Sequence, residues 1–372
     1  MIAKIMIDWR WFAPVCGLLA AVGYTATNIC LRSVTHVDAS YVAFVRSVPT
    51  LVLVLPLLLM RVARGQSLIA PRWHIIGLLV AGIFTQMFGN VLFQWSLGVI
   101  GLALSVPLIF GSMIIGSAMI GSWVLHEPIN RATIGAIALL LIAVTILAIG
   151  AQNGVETFKV QESLQAAGGL WGWTTLAVLG NIVSGFAYAA LATVMRRGMK
   201  AGMSTEMTLL LLSMVGIVSL GTWSFWWVGP SYMVSLSKGA YATMLAAGAL
   251  NALSFYCLAT ALQHLKVVYV YIINASQVAM ASLAGVLIFD EPVTAYLLTG
   301  IGFTALGLLL PAYSSLSGAS EKASAATIEP KSTGEPKSTG EPKSTGEPKS
   351  TGELRPSSES IRKDAALGEE SY

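Results

Sequence analysis

The sequence predicts an all-α membrane protein: ten transmembrane helices arranged as two inverted five-helix repeats, followed by a disordered C-terminal tail. Three observations carry this. Only 11% of the 372 residues are charged while 55% are hydrophobic, against about 25% charged in a soluble domain. The apolar residues fall into runs near the ~20 residues that cross a bilayer. A Glu-Pro pair occurs twice, as Glu127-Pro128 and Glu291-Pro292, each time closing the fourth apolar run of a five-run half.

The charge deficit is concentrated. Residues 321–372 hold ten acidic and eight basic side chains, leaving eight acidic and fourteen basic ones in residues 1–320. So few charges cannot cover a water-facing surface of that size, so this part faces lipid. Its basic excess sits in short clusters between apolar runs, which fits the positive-inside rule and not a nucleic-acid footprint. Cys16, Cys30 and Cys257 are odd in number and lie in apolar runs, and they give no disulfide framework or metal spacing. Lys4 and Arg10 precede an apolar stretch longer than a usual signal core, with no clear cleavage site, and this reads as a retained first helix.

The expected spans are 12–31, 41–60, 74–97, 102–125, 132–150, 172–194, 206–228, 240–262, 267–289 and 294–313. Residues 74–125 and 240–289 are nearly uncharged throughout. Either as one helix would reach roughly 75 Å at 1.5 Å per residue, yet the hydrocarbon core is only ~30 Å thick. Each must reverse once, the first near Gly98 and Gly101, the second near His264 and Lys266. With the N-terminus inside, ten Lys and Arg fall in inner segments. Three, Arg32, Lys159 and Lys238, fall in outer loops. That bias supports an even span count and both termini in the cytoplasm, in the plasma membrane. The tryptophans cluster near the two interfaces as an aromatic belt does.

The tail differs in composition. Glu-Pro-Lys-Ser-Thr-Gly occurs four times in tandem from Glu329 to Gly352. Pro and Gly in every copy suit neither helix nor strand, and few apolar groups offset chain entropy, so disorder is expected. The segment is either a dispensable cytoplasmic tail or a docking segment.

The Glu-Pro pairs lie 164 residues apart, and at that offset Ser112 matches Ser276, Gly121 matches Gly285 and Ile137 matches Ile301. The expected organisation is a first repeat at 12–150, an outer linker at 151–171, a second repeat at 172–313 and the tail at 314–372. An odd number of helices per repeat makes the second copy enter from the opposite side. Inverted repeats of this kind typify secondary transporters, with substrate near the midplane between halves.

On the ten-span count, the two Glu-Pro turns, Arg46 near the start of the second span and Pro107 in the fourth, the chain resembles the drug/metabolite transporter superfamily, specifically its EamA-type ten-helix members. The resemblance covers residues 12–313. It implies export, or in some members import, of amino acids, metabolites or drugs, and no catalytic constellation. One departure is Tyr271, where the ninth span of the family often has a proline.

Polar side chains within lipid are costly unless they face protein or water, so those in the spans are expected to point inward. Gln86, Asn90 and Gln94 are spaced i, i+4, i+8. They form one stripe on a helix, which either lines a central path or glues helices together. Asn28, Asn181, Asn251, Asn274 and Gln277 add amides from spans one, six, eight and nine. Pro107 frees the carbonyl of Ala103, which either serves a substrate or marks a plain kink, with Ser105 and Ser112 beside it. Arg46 lies well inside a span and either snorkels to the interface or pairs with a substrate carboxylate. Tyr188, Tyr256, Tyr269 and Tyr271 either pack or stack on substrate. Glu127 and Glu291, each followed by a proline at Pro128 and Pro292, sit at span ends where capping is the expected role.

The expected function is a secondary transporter, most simply an exporter, of a small metabolite, amino acid or drug-like solute. Its expected partners are that solute and the lipid bilayer, with a homodimer left open. No Walker motif is present for an ATP-driven pump. His36, His74, His126 and His264 lack metal spacing, so neither a membrane enzyme nor a metal or other cofactor is expected. The alternative is a membrane scaffold or sensor acting through the tail.

Overall fold

The computed structural model describes residues 9–65, 71–125, 131–153, 170–264 and 267–310, all within one unit, Met1–Ser324. Within lipid, backbone polar groups need internal partners, which helices supply. Helices α1 (Trp9–Ser33) and α2 (Ala39–Ala63) come first. Then α3 (Arg72–Phe84) passes through a π-helical turn (Thr85–Val91) into α4 (Leu92–Leu125). Helices α5 (Arg131–Asn153) and α6 (Leu170–Lys200) come after it. Next, α7 (Thr205–Val215) runs through a second π turn (Gly216–Leu220) into α8 (Gly221–Trp227). The short α9 (Pro230–Ser235) leads to α10 (Lys238–His264), α11 (Val267–Phe289) and α12 (Ala295–Leu310).

Among the described residues, six helical stretches are long and apolar enough to cross a membrane, and three shorter apolar helices lie at 134–150, 276–289 and 295–310. The protein is multi-pass. One of the six is the 52-residue stretch Arg72–Trp123, far longer than a bilayer is thick. It breaks at Gly101, whose φ of 79° and ψ of 177° are not helical. The expected second reversal coincides with the gap between α10 and α11, of which Leu265 and Lys266 lie outside the described residues. The C-terminal tail, most of the 151–171 linker and the Glu127-Pro128 turn also lie outside them.

Helix ends are capped locally. Asp38 Oδ1 accepts from the amides of Ser40 and Tyr41 at the start of α2. Ser204 Oγ accepts from Met207 N at the start of α7. Each such cap satisfies an orphan donor, about 1 kcal/mol.

The halves interlock. Helix α1 packs on α10 and α11, while α6 packs on α3, its π turn and α4; α2 meets α7. At an offset of 164 residues these pairings exchange: the first helix of each half lies against the third and fourth of the other. Small residues permit the close approach. A Cβ on Gly185 of α6 would sit 2.6 Å from Ser112 Cβ and 2.8 Å from the Ile109 carbonyl oxygen. Large apolar side chains such as Val52, Leu59, Leu287 and Leu306 point outward, as lipid contact requires. Trp73, Trp123, Trp226 and Trp227 are also exposed, at helix ends.

Candidate functional site

A cavity of about 410 Å³ lies between the halves, within the range of small-molecule sites. The first half contributes Asn28 from α1, Arg46, Ser47 and Thr50 from α2, and Gln86 and Asn90 from the π turn. The second contributes Tyr188 from α6, Ser213 from α7, Asn251 from α10 and Gln277 from α11. Thr27, Thr85 and a set of aromatic and aliphatic groups complete the lining.

Four of these residues form a directed network. Arg46 Nη2 and the Tyr188 hydroxyl both donate to Asn90 Oδ1. Asn90 Nδ2 donates to Gln86 Oε1 at 2.5 Å, and Gln86 Nε2 donates to the Leu212 carbonyl at 3.3 Å. The chain of bonds runs from Arg46 through the π turn to α7, and it couples both halves through one amide. Arg46 therefore extends toward Asn90 in the cavity lining.

The i, i+4, i+8 stripe does not hold as one face. The π-helical turn at Thr85–Val91 inserts extra backbone, which rotates the residues after it relative to an α-helical register. Gln86 and Asn90 line the central cavity, but Gln94 does not. Its Nε2 donates to the Leu31 carbonyl at 2.9 Å, while its Oε1 has no partner among the described residues. Gln94 instead borders a second cavity of about 420 Å³, with Thr35, His36, Asp38, Trp95 and Tyr232, at the end of the bundle where α1 meets α2.

Four other expected path residues lie off the central lining. Ser105, Ser112 and Asn181 are at most 1% exposed. Ser112 fills the α4–α6 contact at Gly185. Ser105 Oγ and both amide atoms of Asn181 have no partner among the described residues. Pro107 sits inside α4, and the Ala103 carbonyl it frees accepts from Ser282 Oγ of α11 at 3.2 Å. That carbonyl joins two helices and is not offered to a solute. The side chains of Tyr269, Tyr271 and Asn274 lie outside the described residues, as do Glu127 and Pro128.

An apolar cluster with Leu31, Val42, Val45, Leu97, Val106 and Met244 also takes in Phe93 and Ile109 of the first cavity's lining and Val37 of the second's. Glu291 bonds α11 to α1 and α4 near the second cavity, whose lining includes Thr35, a partner of Arg32. Asp290 has φ 53°, and Glu291 N donates to the Gly285 carbonyl at 3.1 Å as α11 ends; Pro292 is the next residue. The Glu291 carboxylate accepts from Leu102 N at 2.7 Å and Ala103 N at 2.6 Å. It also accepts from Arg32 Nε at 2.9 Å. It thus caps the α4 segment after Gly101, where the helix N-terminus favours negative charge. Gly101 and Gly285 leave it room: a Cβ on either would lie 2.5 Å from a carboxylate oxygen. Arg32 also bonds Thr35 Oγ1 at 3.3 Å and lies over the Phe289 ring. At the other end of the bundle Arg61 pairs with Glu206 at 3.3 Å.

Sequence reasoning missed Arg32 as a partner of Glu291, and it undervalued Tyr188. A signal for the former existed: Arg32 recurs as Arg196 at the same offset of 164 that relates Glu127 to Glu291.

No curated protein matches the chain. One solved crystal structure shares the fold with a TM-score of 0.55 at 12% identity, over 80% of this chain and 96% of that one. The model of the EamA-like transporter family, a family of membrane transporters and not of enzymes, matches residues 11–149 and again residues 175–312, one copy for each half. The chain belongs to the EamA-like transporter family.

Proposed function

We propose that this protein is a secondary transporter that moves a small solute by alternating access between its two halves. The observation that carries this reading is the central cavity, lined from both halves, with an apolar cluster that reaches from its lining to that of a second cavity. A solute held at Arg46, Asn90 and Gln277 meets both halves at once, so rocking one against the other changes which end it faces. In this reading the ten spans form inverted repeats, and Arg32–Glu291 with the cluster holds one end shut. With the N-terminus in the cytoplasm of a plasma-membrane protein, that shut end is the outer one. The central cavity, which extends to Met195, Leu209 and Leu258, then loads from the cytoplasm, as an exporter requires.

The test is uptake and counterflow in proteoliposomes against a broad panel of small metabolites, with and without a pH gradient. Movement of at least one class is expected. Failure to move any panel member in either direction would remove the reading. Truncation after residue 320 separates it from a scaffold acting through the tail: transport is expected to survive, and a scaffold role would not.

A further inference from the structure

Arg46 brings a positive charge into the central cavity, and among the described residues no carboxylate lies in that cavity's lining. Among the described residues, ion pairs join Arg32 to Glu291 and Arg61 to Glu206, and neither reaches Arg46. No acidic residue is found among the described residues that line the cavity. The hydrogen-bond partners of Arg46 there are neutral, Asn90 Oδ1 and the Tyr188 hydroxyl, while a guanidinium has five N–H donors in a planar fork. Two of the lining amides are already engaged: Asn90 donates to Gln86, and Gln86 to the Leu212 carbonyl. A charge held between apolar helices without a counter-charge is costly. An anionic ligand removes that cost, and a planar two-oxygen anion matches the fork.

We infer that the central cavity binds a small organic monoanion, a carboxylate with an apolar or aromatic body, and that Arg46 is the residue that binds the carboxylate. This rests on the transporter reading for its claim that the anion is cargo. One cation selects one negative charge, since a phosphate dianion would leave a charge uncompensated. An amino acid zwitterion is disfavoured because no carboxylate among the described lining residues receives its ammonium. Tyr24, Phe93, Phe110, Met113 and Phe255 supply the apolar wall for the body of the ligand.

The experiment uses the full-length protein purified in detergent at neutral pH, with four probes of nearly one shape: 3-phenylpropanoate, 3-phenylpropan-1-ol, 3-phenylpropylamine and L-phenylalanine. Affinity is read by calorimetry and by the shift in thermal midpoint. The propanoate is expected to bind at least about tenfold more tightly than the other three, the size of one charge-assisted contact. Arg46→Gln should lose at least that factor, and Arg46→Lys should lie between, since it keeps the charge and loses the fork. Arg64→Gln, at an exposed helix end, should bind as the wild type does.

The inference is overturned if the alcohol or amine binds as well as the propanoate, if sodium chloride alone reproduces the shift, or if no binding is seen at millimolar propanoate. It is also overturned if Arg46→Gln retains affinity. Should that variant fail to fold, the four-probe comparison on the wild type and the Lys variant still decides. Transport that persists unchanged in Arg46→Gln proteoliposomes sinks this inference and leaves the transporter reading standing. Arg46-dependent anion binding without movement of any solute does the reverse.

Discussion

Replacing Glu291 by Gln probes the contact that ties the two halves together at one end. The carboxylate accepts from Arg32 Nε, Leu102 N and Ala103 N at 2.9, 2.7 and 2.6 Å. Its side chain is 2% exposed, against 16% for Arg32. Gln keeps the shape but loses the charge, and its Nε2 must face at least one N–H donor. Removing one partner of a buried pair costs about 3–5 kcal/mol. Arg32 retains some solvent, its bond to Thr35 and its place over Phe289, so the low end applies, about 3 kcal/mol. Arg32→Gln is milder, about 1.5 kcal/mol. It leaves Glu291 with two backbone N–H groups at a helix N-terminus, where negative charge is favoured. The double variant strands no charge, so its loss should fall short of the sum of the single ones. Reversible unfolding of the purified protein in mixed micelles, titrated with SDS, measures all three. Equal losses for the two single variants, or a loss below about 1 kcal/mol for Glu291→Gln, would refute the assignment of Glu291 as a helix cap.

Further substitutions test neighbouring points. Gly101→Ala should be as damaging as Glu291→Gln in the same titration: its φ is 79°, and the new Cβ would lie 2.5 Å from Glu291 Oε1. A near-neutral result would mean that the break in α4 is not fixed by that contact. Ser282→Ala should destabilise by about 1 kcal/mol, since the Ala103 carbonyl loses its partner. The loss should shrink in a Pro107→Ala background, where the helix supplies an N–H again; an unchanged loss would contradict the role given to Ser282. Asn90→Ala should cut transport by at least about tenfold, having lost the acceptor shared by Arg46 and Tyr188. Ser105→Ala should leave transport as it was and stabilise by up to about 1 kcal/mol, because its buried Oγ has no partner among the described residues. Matching transport losses for these two would erase the distinction between cavity and packing residues.

Much of the candidate site was legible as chemistry and little of it as geometry. Arg46, Asn90, Asn28, Asn251 and Gln277 stood out as polar groups in apolar runs, and they line one cavity. Gln94 and Ser105 stood out for the same reason, yet they do not line it. The π turn sets which of these amides share a face, and no residue type in Thr85–Val91 announces it. Pro107 correctly marked a freed carbonyl, but the donor that takes it, Ser282, lies on another helix.

The sequence by itself determined that the chain is a multi-pass membrane protein made of two related halves, because apolar length, charge placement and a fixed repeat offset are local quantities. Only the tertiary structure decided that Glu291 caps a helix of the other half, 189 residues earlier in the chain. The same is true of Arg46, which meets a neutral amide and no carboxylate among the described residues. Both are contacts between separate helices, and how separate helices pack is not a local property of the chain.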